Sequence, residues 1–463
     1  MNEEKKQGTW RSRVLGRRNF HPTRIVVFGF LIVILVGALL LSLPVSSASH
    51  NYTDPLSALF TATSATCVTG LVVVDTGIHW SLFGQIVILC MIQLGGLGFM
   101  TLFAMASFAL HRRISLSERL LMSSAFNLND VDGVVRLVRH AINGTLLFEG
   151  IGAIVLSIRM IPQFGILGGI WRGIFHAVSA FCNAGFDILG REYGAFASVE
   201  GVNGDPIILC TLMALIVIGG AGFFVWEDIY RSRCWRKLSL YSKMVIVLTI
   251  GLLAAGTAYF LIVEFDNPRT LGMMPLGKKI LNAAFQSVTL RTAGFASFDQ
   301  GGLYDVSKMI SCLFMLIGGS SGSTAGGIKT VTAFVVLMAV RAGLSGREEI
   351  TVCGRSIAWR KAFDAVTITF LVLGILLCGS VALALVDRVT YMDALFEVAS
   401  AVGTVGVTTG ITAFLGPMSK VILIVCMYAG RLGVLSISFA LQTKKKSMSQ
   451  QEIRHPAVNI MVG

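Results

Sequence analysis

Four segments of this 463-residue chain run from phenylalanine to glycine in nearly the same way. They read FTATSATCVTGL from Phe60, FHAVSAFCNAGF from Phe175, FQSVTLRTAGF from Phe285 and FEVASAVGTVGV from Phe396. The glycine follows the phenylalanine by 10, 10, 9 and 10 residues, at Gly70, Gly185, Gly294 and Gly406. Cys67 and Cys182 occupy matching places, and so do Ser64, Ser179 and Ser400. The two residues before each glycine differ: Val68 and Thr69, Asn183 and Ala184, Thr292 and Ala293, Thr404 and Val405. Because glycine recurs while its neighbours change, the chemistry belongs to the main chain. Main-chain carbonyls can replace the water around a cation. Glycine supplies a backbone conformation that a residue with a β-carbon adopts only at a cost. A short helix pointing its C-terminus at such a place adds about half an electron of negative charge.

A second mark follows each first one: GGLG at Gly95, GGAG at Gly219, GGSSG at Gly318 and GRLG at Gly430, separated by 25, 34, 24 and 24 residues. Close packing explains one or two glycine pairs in membrane helices, but not four copies in register. The third copy departs from the rest. Residues 318–330, GGSSGSTAGGIKT, hold Gly318, Gly319, Gly322, Gly326 and Gly327 together with Ser320, Ser321, Ser323, Thr324 and Ala325. Such a run cannot continue a helix. Irregular backbone at membrane depth is tolerated only where protein buries it or water lines it, so a loop beneath the glycine segments is expected. A phosphate-binding loop would need GxxxxGK followed by Ser or Thr. Gly322 and Gly327 have that spacing, but Ile328 intervenes before Lys329. Arg431, in the last apolar run, costs about 2.5 kcal/mol or more in a bilayer centre unless partnered. It either pairs with Glu149 or faces a central pathway and holds the loop.

The elements that position these residues follow from hydropathy. The chain is 54% hydrophobic and 14% charged, with mean hydropathy +0.75. A soluble chain would carry about 25% charged residues, so a water-soluble enzyme and a disordered chain are both excluded. Apolar runs of bilayer length fall at 25–44, 76–111, 136–160, 206–229, 240–264, 306–340, 364–386 and 418–441. Between the members of each pair lies a shorter segment, near 55–66, 171–182, 279–290 and 393–402. The expected fold is an all-α integral membrane protein with four pseudo-symmetric repeats of span, re-entrant segment and span around a central pore. The units are a basic arm 1–24, repeats at 25–110, 111–230, 231–341 and 342–441, and a tail 442–463.

Net charge is +13. Seven basic residues lie in the arm, five in each turn at 111–140, 231–243 and 341–361, and four in the tail. They share one face of the paired topology, so both termini are expected to be cytoplasmic, and the partner of the charge is a lipid bilayer, with no nucleic acid. Nine cysteines lack CxxC spacing and suggest neither disulfides nor zinc. Asp75, Asp187 and Asp299 follow the glycines and either concentrate cations at an outer mouth or are ordinary solvated acids. Asp54 and Asp393 are expected to cap short helices, and Glu397 to serve structurally. Glu227 and Asp228, with the basic turns, are candidates for contact with a cytosolic partner. The apolar tail IRHPAVNIMVG suggests docking.

These glycine motifs resemble the Trk/Ktr/HKT superfamily of potassium transporters, and the chain from about residue 20 is most similar to the Ktr-type membrane subunit. The resemblance implies potassium uptake, sodium-dependent in some members, through a selectivity filter made of Val68, Thr69, Gly70, Asn183, Ala184, Gly185, Thr292, Ala293, Gly294, Thr404, Val405 and Gly406. It implies a gate formed by 318–330 with Arg431, no enzyme activity, and no cofactor beyond the transported K+ and Na+. It also implies a plasma-membrane homodimer on a cytosolic ring of nucleotide-binding regulatory subunits. With one glycine per strand, against two in the TVGYG filter of potassium channels, moderate discrimination between potassium and sodium is expected. The competing class is a secondary transporter of a small solute or of Na+, which usually pairs broken helices in matching halves. Only one span looks broken in the sequence.

Overall fold

A computed structural model of the chain describes residues 22–98, 134–347, 349–352 and 354–433. The expectations for the basic arm up to residue 21, the turn after Gly98 and the tail from residue 434 lie outside these residues. The protein is predominantly helical; among the described residues the strands are one hairpin, Ile350–Val352 against Arg355–Ile357.

Each quarter of the chain contributes a long opening helix, a short helix that turns back, and a closing helix. The opening helices are Pro22–Ser42, the first part of Val134–Phe181, Leu240–Val263 and Trp359–Asp387. The short helices are Pro55–Cys67, the part of Val134–Phe181 beyond Gly165, Leu276–Thr289 and Tyr391–Gly403. Gly165, at φ 74° and ψ 171°, divides the second opening helix from its short helix without any loop. The closing helices are Leu82–Leu97, Pro206–Ala221, Asp305–Leu316 and Pro417–Leu432.

Local sequence explains the starts. Asp54 precedes Pro55 and accepts from Ser57 N at 3.0 Å, and Asp205 precedes Pro206 and accepts from Ile207 N at 3.0 Å. Proline at the first helical position lacks only a donor that would be unpaired there anyway. Asp393 does not cap its helix; Thr390 does, accepting from Asp393 N at 3.3 Å. The Asp393 carboxylate instead pairs with Lys308 at 2.9 Å, tying the fourth short helix to the third closing helix.

Burial runs opposite to that of a soluble protein. Leu39, Ile154, Ile250 and Phe370 stand exposed on the opening helices, where lipid would cover them, whereas Phe60, Phe175, Phe285 and Phe396 are each 0% exposed. The four phenylalanines therefore anchor the short helices in one continuous core.

The sequence suggests eight full spans; two of the closing ones, 76–111 and 418–441, run beyond the described residues, the third is broken at the loop as expected, and the second is interrupted at Gly222. The closing helices as described have 16, 16, 12 and 16 residues. Three stop at a glycine with positive φ: Gly98 (81°), Gly222 (91°) and Gly433 (78°). At Gly222 the chain bends by 91° into the helix Phe223–Ser232. The second closing helix is thus broken as well as the third. Hydropathy hid the bend because apolar residues continue through it.

Candidate functional site

The four glycine segments converge at the C-terminal ends of the short helices. In repeats one, two and four the exit is a Schellman turn, which normally places glycine in the left-handed position. Here that position is taken by Val68 (φ 56°), Asn183 (φ 60°) and Thr404 (φ 52°). The turns close through Thr69 N to Ser64 O at 2.8 Å, Ala184 N to Ser179 O at 2.7 Å and Val405 N to Ser400 O at 2.8 Å. Repeat three, one residue shorter, closes differently: Ala293 N donates to Thr289 O at 2.9 Å, and Thr292 is left-handed at φ 68°. Left-handed backbone costs a residue with a β-carbon about 1–2 kcal/mol. Four such residues at matching places are maintained by the surrounding structure, a pattern typical of functional sites.

Two residues further on, Gly70, Gly185, Gly294 and Gly406 also have positive φ, from 69° to 96°. A β-carbon on Gly70 would lie 2.5 Å from Ala184 O, one on Gly185 2.7 Å from Ala293 O, and one on Gly294 2.5 Å from Val405 O. One on Gly406 would strike Thr69 O and lie 2.8 Å from the Gly70 α-carbon. The strands therefore follow one another in a closed ring, each middle carbonyl against the preceding glycine. That explains why glycine alone repeats.

Hydroxyls behind the ring fix the strands. Ser64 Oγ accepts from Gly70 N and Ser400 Oγ from Gly406 N, both at 3.0 Å. Ser179 Oγ donates to Phe186 O at 2.7 Å, and Thr289 Oγ1 to Phe295 O at 2.6 Å. Thr289 is the fourth member of the serine set, overlooked in the sequence because it is threonine; its place, four residues after Phe285, was the available signal. The buried Thr69 Oγ1 and Thr404 Oγ1 have no protein partner. The Glu397 carboxylate, fully buried, accepts from Thr409 N at 2.9 Å and Thr412 Oγ1 at 2.6 Å, fixing the fourth strand's exit.

The loop 318–330 packs against the inner ends of these strands. Its neck is closed by Gly318 N to Ile328 O at 2.9 Å and Ile328 N to Leu316 O at 3.0 Å. Ser320 N donates to Gly220 O at 3.0 Å, Ser320 Oγ to Ala221 O, and Gly322 O accepts from Phe223 N at 3.0 Å, so the loop is stitched to the broken second closing helix. Ser321 O accepts from Tyr241 Oη at 3.1 Å, and Ser323 Oγ donates to Ser320 O at 2.7 Å. Thr324 Oγ1 donates to Phe181 O at 3.2 Å. A β-carbon on Gly326 would collide with the Thr404 side chain, and one on Gly319 would lie 2.7 Å from Ala325 Cβ. Gly327 has φ 63°, and Lys329 Nζ donates back to Ala325 O at 2.7 Å.

Arg431 donates to Thr324 O, Gly95 O and Gly96 O, joining the loop tip to the first closing helix. Its ion pair with Glu149 is not formed: the Glu149 carboxylate accepts from Gln93 at 3.1 Å and from the Cys182 thiol at 3.7 Å. One further expectation changes. Asp75 is buried and accepts from Ile78 N and Phe196 N, each at 2.8 Å, so it holds the outer loops together. Asp187 accepts from Leu189 N at 3.1 Å, and Asp299 forms an exposed pair with Arg269 at 3.4 Å. Glu227 pairs with His140 and Arg231, and Asp228 accepts from Ser239, so both acids have internal partners. No group of His, Cys, Asp and Glu suited to a metal ion occurs among the described residues.

Four short helices converging on a ring of glycine strands, inside an apolar coat, have the architecture of a helical membrane transporter, the class to which its relatives belong. A profile of TrkH, described as cation transport protein, matches residues 15–452, and the chain belongs to this family. The Ktr system potassium uptake protein B of Bacillus subtilis is 38% identical, over 98% of this chain and 99% of its own length. The potassium/sodium uptake protein NtpJ of Enterococcus hirae is 37% identical, over 96% of this chain and 98% of its own. The crystal structure of the potassium transporter TrkH from Vibrio parahaemolyticus shares the fold. Its TM-score is 0.68 at 18% identity, covering 89% of this chain and 84% of that one.

Proposed function

We propose that this chain is the ion-translocating membrane subunit of a Ktr-type potassium uptake system. Potassium crosses at the ring of Gly70, Gly185, Gly294 and Gly406, coordinated by the carbonyls of these strands. The observation that carries the reading is the closed ring, in which a β-carbon on any of the four glycines would meet the next strand's backbone. The unpartnered hydroxyls of Thr69 and Thr404 add suitable oxygen donors. Sodium passes or is coupled as well, a reading favoured by the potassium/sodium name of the Enterococcus hirae relative. One glycine per strand is consistent with moderate discrimination between the two ions.

The loop 318–330 is the gate, held shut by Arg431 from the tip. A cytosolic nucleotide-binding subunit ring controls it, in keeping with the Ktr system to which the Bacillus subtilis relative belongs. The membrane subunit is a homodimer, crosses the plasma membrane several times and keeps both termini in the cytoplasm, as the block distribution of basic residues favours.

Rubidium uptake into proteoliposomes, with and without internal sodium, tests this. The reading requires rubidium flux that follows the imposed voltage, about 2.3 kcal/mol per charge per 100 mV. Voltage-independent uptake of a neutral solute without rubidium flux would overturn it.

A further inference from the structure

Arg291 is buried and precedes the left-handed Thr292. In the other repeats the residue before the left-handed position is Cys67, Cys182 or Gly403, all small. Two of these places are crowded by a neighbouring closing helix: a β-carbon on Gly96 would lie 2.6 Å from Cys182 Sγ, and one on Gly403 2.5 Å from Met315 O. Repeat three makes room for an arginine by replacing the Schellman turn with a shorter exit and its helix with a loop.

The Arg291 guanidinium lies at the loop's neck. Its Nη2 donates to Gly318 O at 3.3 Å and to Thr330 Oγ1 at 3.4 Å. Thr330 Oγ1 itself donates to Gly318 O at 2.9 Å, and Thr330 N to Gly319 O at 3.1 Å. The two ends of the loop therefore meet at one side chain. Among the described residues Arg291 has no carboxylate partner, and its Nε has no acceptor at all. A buried cation satisfied only by the two ends of one loop is poorly explained as packing, because a buried charge without a partner is costly.

We infer that Arg291 is a positioning residue that fixes the third strand, through Thr292, to the neck of the loop, so that loop position and ion selectivity are coupled in this repeat. Arg431 donates its hydrogen bonds to the tip and to the first closing helix, none of them to a ring strand; Arg291 holds the neck and is covalently continuous with a strand. The two arginines therefore differ in what their loss changes. Loss of Arg431 frees the loop. Loss of Arg291 frees the loop and also releases the third strand.

The inference rests on the filter and gate reading above, and one assay separates the two. Initial rubidium and sodium fluxes are measured in the same proteoliposome preparation for Arg291→Gln, Arg291→Lys, Thr330→Val and Gly70→Ser. Loss of a hydrogen bond to a charged group should change both basal flux and the rubidium-to-sodium ratio about tenfold or more in Arg291→Gln. Arg291→Lys, keeping the charge and one donor, should recover part of both, and Thr330→Val should shift both in the same direction by less. If Arg291→Gln does not fold, Thr330→Val decides, since it removes the hydroxyl that links Arg291 to Gly318 O without removing a charge. A changed ratio in Gly70→Ser with an unchanged ratio in the Arg291 and Thr330 variants overturns the coupling and leaves the filter reading standing. An unchanged ratio in Gly70→Ser as well overturns both.

Discussion

At Gly70, Gly185, Gly294 and Gly406 the four repeats do the same thing, each presenting a strand to the next with the same hand of backbone. At the far ends of the closing helices three repeats agree and one does not. Gly98, Gly222 and Gly433 end their helices at nearly the same φ, whereas the third helix ends at Ile317 with φ −91° and runs into the loop. The equivalence of the ring suits coordination, because an ion on the axis meets similar oxygens from every side. The inequality below fits the proposed gate, which confines movement to one quarter. The first glycine of each second mark shows how the two levels are joined. A β-carbon on Gly95, Gly219 or Gly430 would strike the carbonyl of Thr66, Phe181 or Val402 on a short helix, while Gly318 lies instead against its own loop at Gly326.

The largest expected effect lies in the ring. Gly406→Ala and Gly70→Ser should lower rubidium uptake and its preference over sodium by about ten- to hundredfold, the order that a misplacement of about 1 Å causes at a binding centre. If the repeats are equivalent, the same change at Gly185 or Gly294 should act alike in a competition flux assay; a tolerated substitution at one glycine would break the comparison. Next comes Arg431→Met, which removes three donations to carbonyls. Bonds to a charged group are each worth about 1.5–3 kcal/mol, so basal flux without the regulatory subunit should rise about tenfold with little change in ion preference.

Smaller effects sharpen the picture. Thr289→Val should reduce rubidium preference about two- to fivefold through loss of one hydrogen bond of about 1 kcal/mol, while Thr289→Ser should not. The smallest concerns the outer surface. Burial, and then the Asp299 carboxylate, pushes the Glu200 carboxyl up to about 7. A carboxyl raised in the folded state favours its neutral form, so the stability it provides is present below the ordinary glutamate range and is lost as pH rises through about 7. Glu200→Gln should therefore raise the Tm slightly at pH 8 and hardly at pH 5, as read by thermal unfolding in detergent.

Much of this arrangement was legible in the residues. The phenylalanine and glycine marks reported four repeats because a buried anchor and a positive φ each restrict residue type strongly. Asp54 before Pro55 announced its helix. Other features left weaker traces. The bend at Gly222 lay inside an unbroken apolar run, and the cap at Thr390 was masked by the neighbouring Asp393. The acceptors of Arg431 are backbone carbonyls, which every residue carries, so the sequence offered the loop as its partner without saying which atoms it meets, and it gave no sign of Arg291 at the neck. The pairing of Glu227 with His140 left no trace in the sequence because the two lie 87 residues apart.

The central claim is that the glycine ring selects and the third-repeat loop gates. The most direct measurement is the rubidium-to-sodium flux ratio, alongside basal rubidium flux, for Gly70→Ser and Arg431→Met in matched proteoliposomes. The account predicts a lowered ratio without added leak in the first, and added leak at an unchanged ratio in the second. An unchanged ratio in Gly70→Ser, or a changed ratio without leak in Arg431→Met, would contradict it.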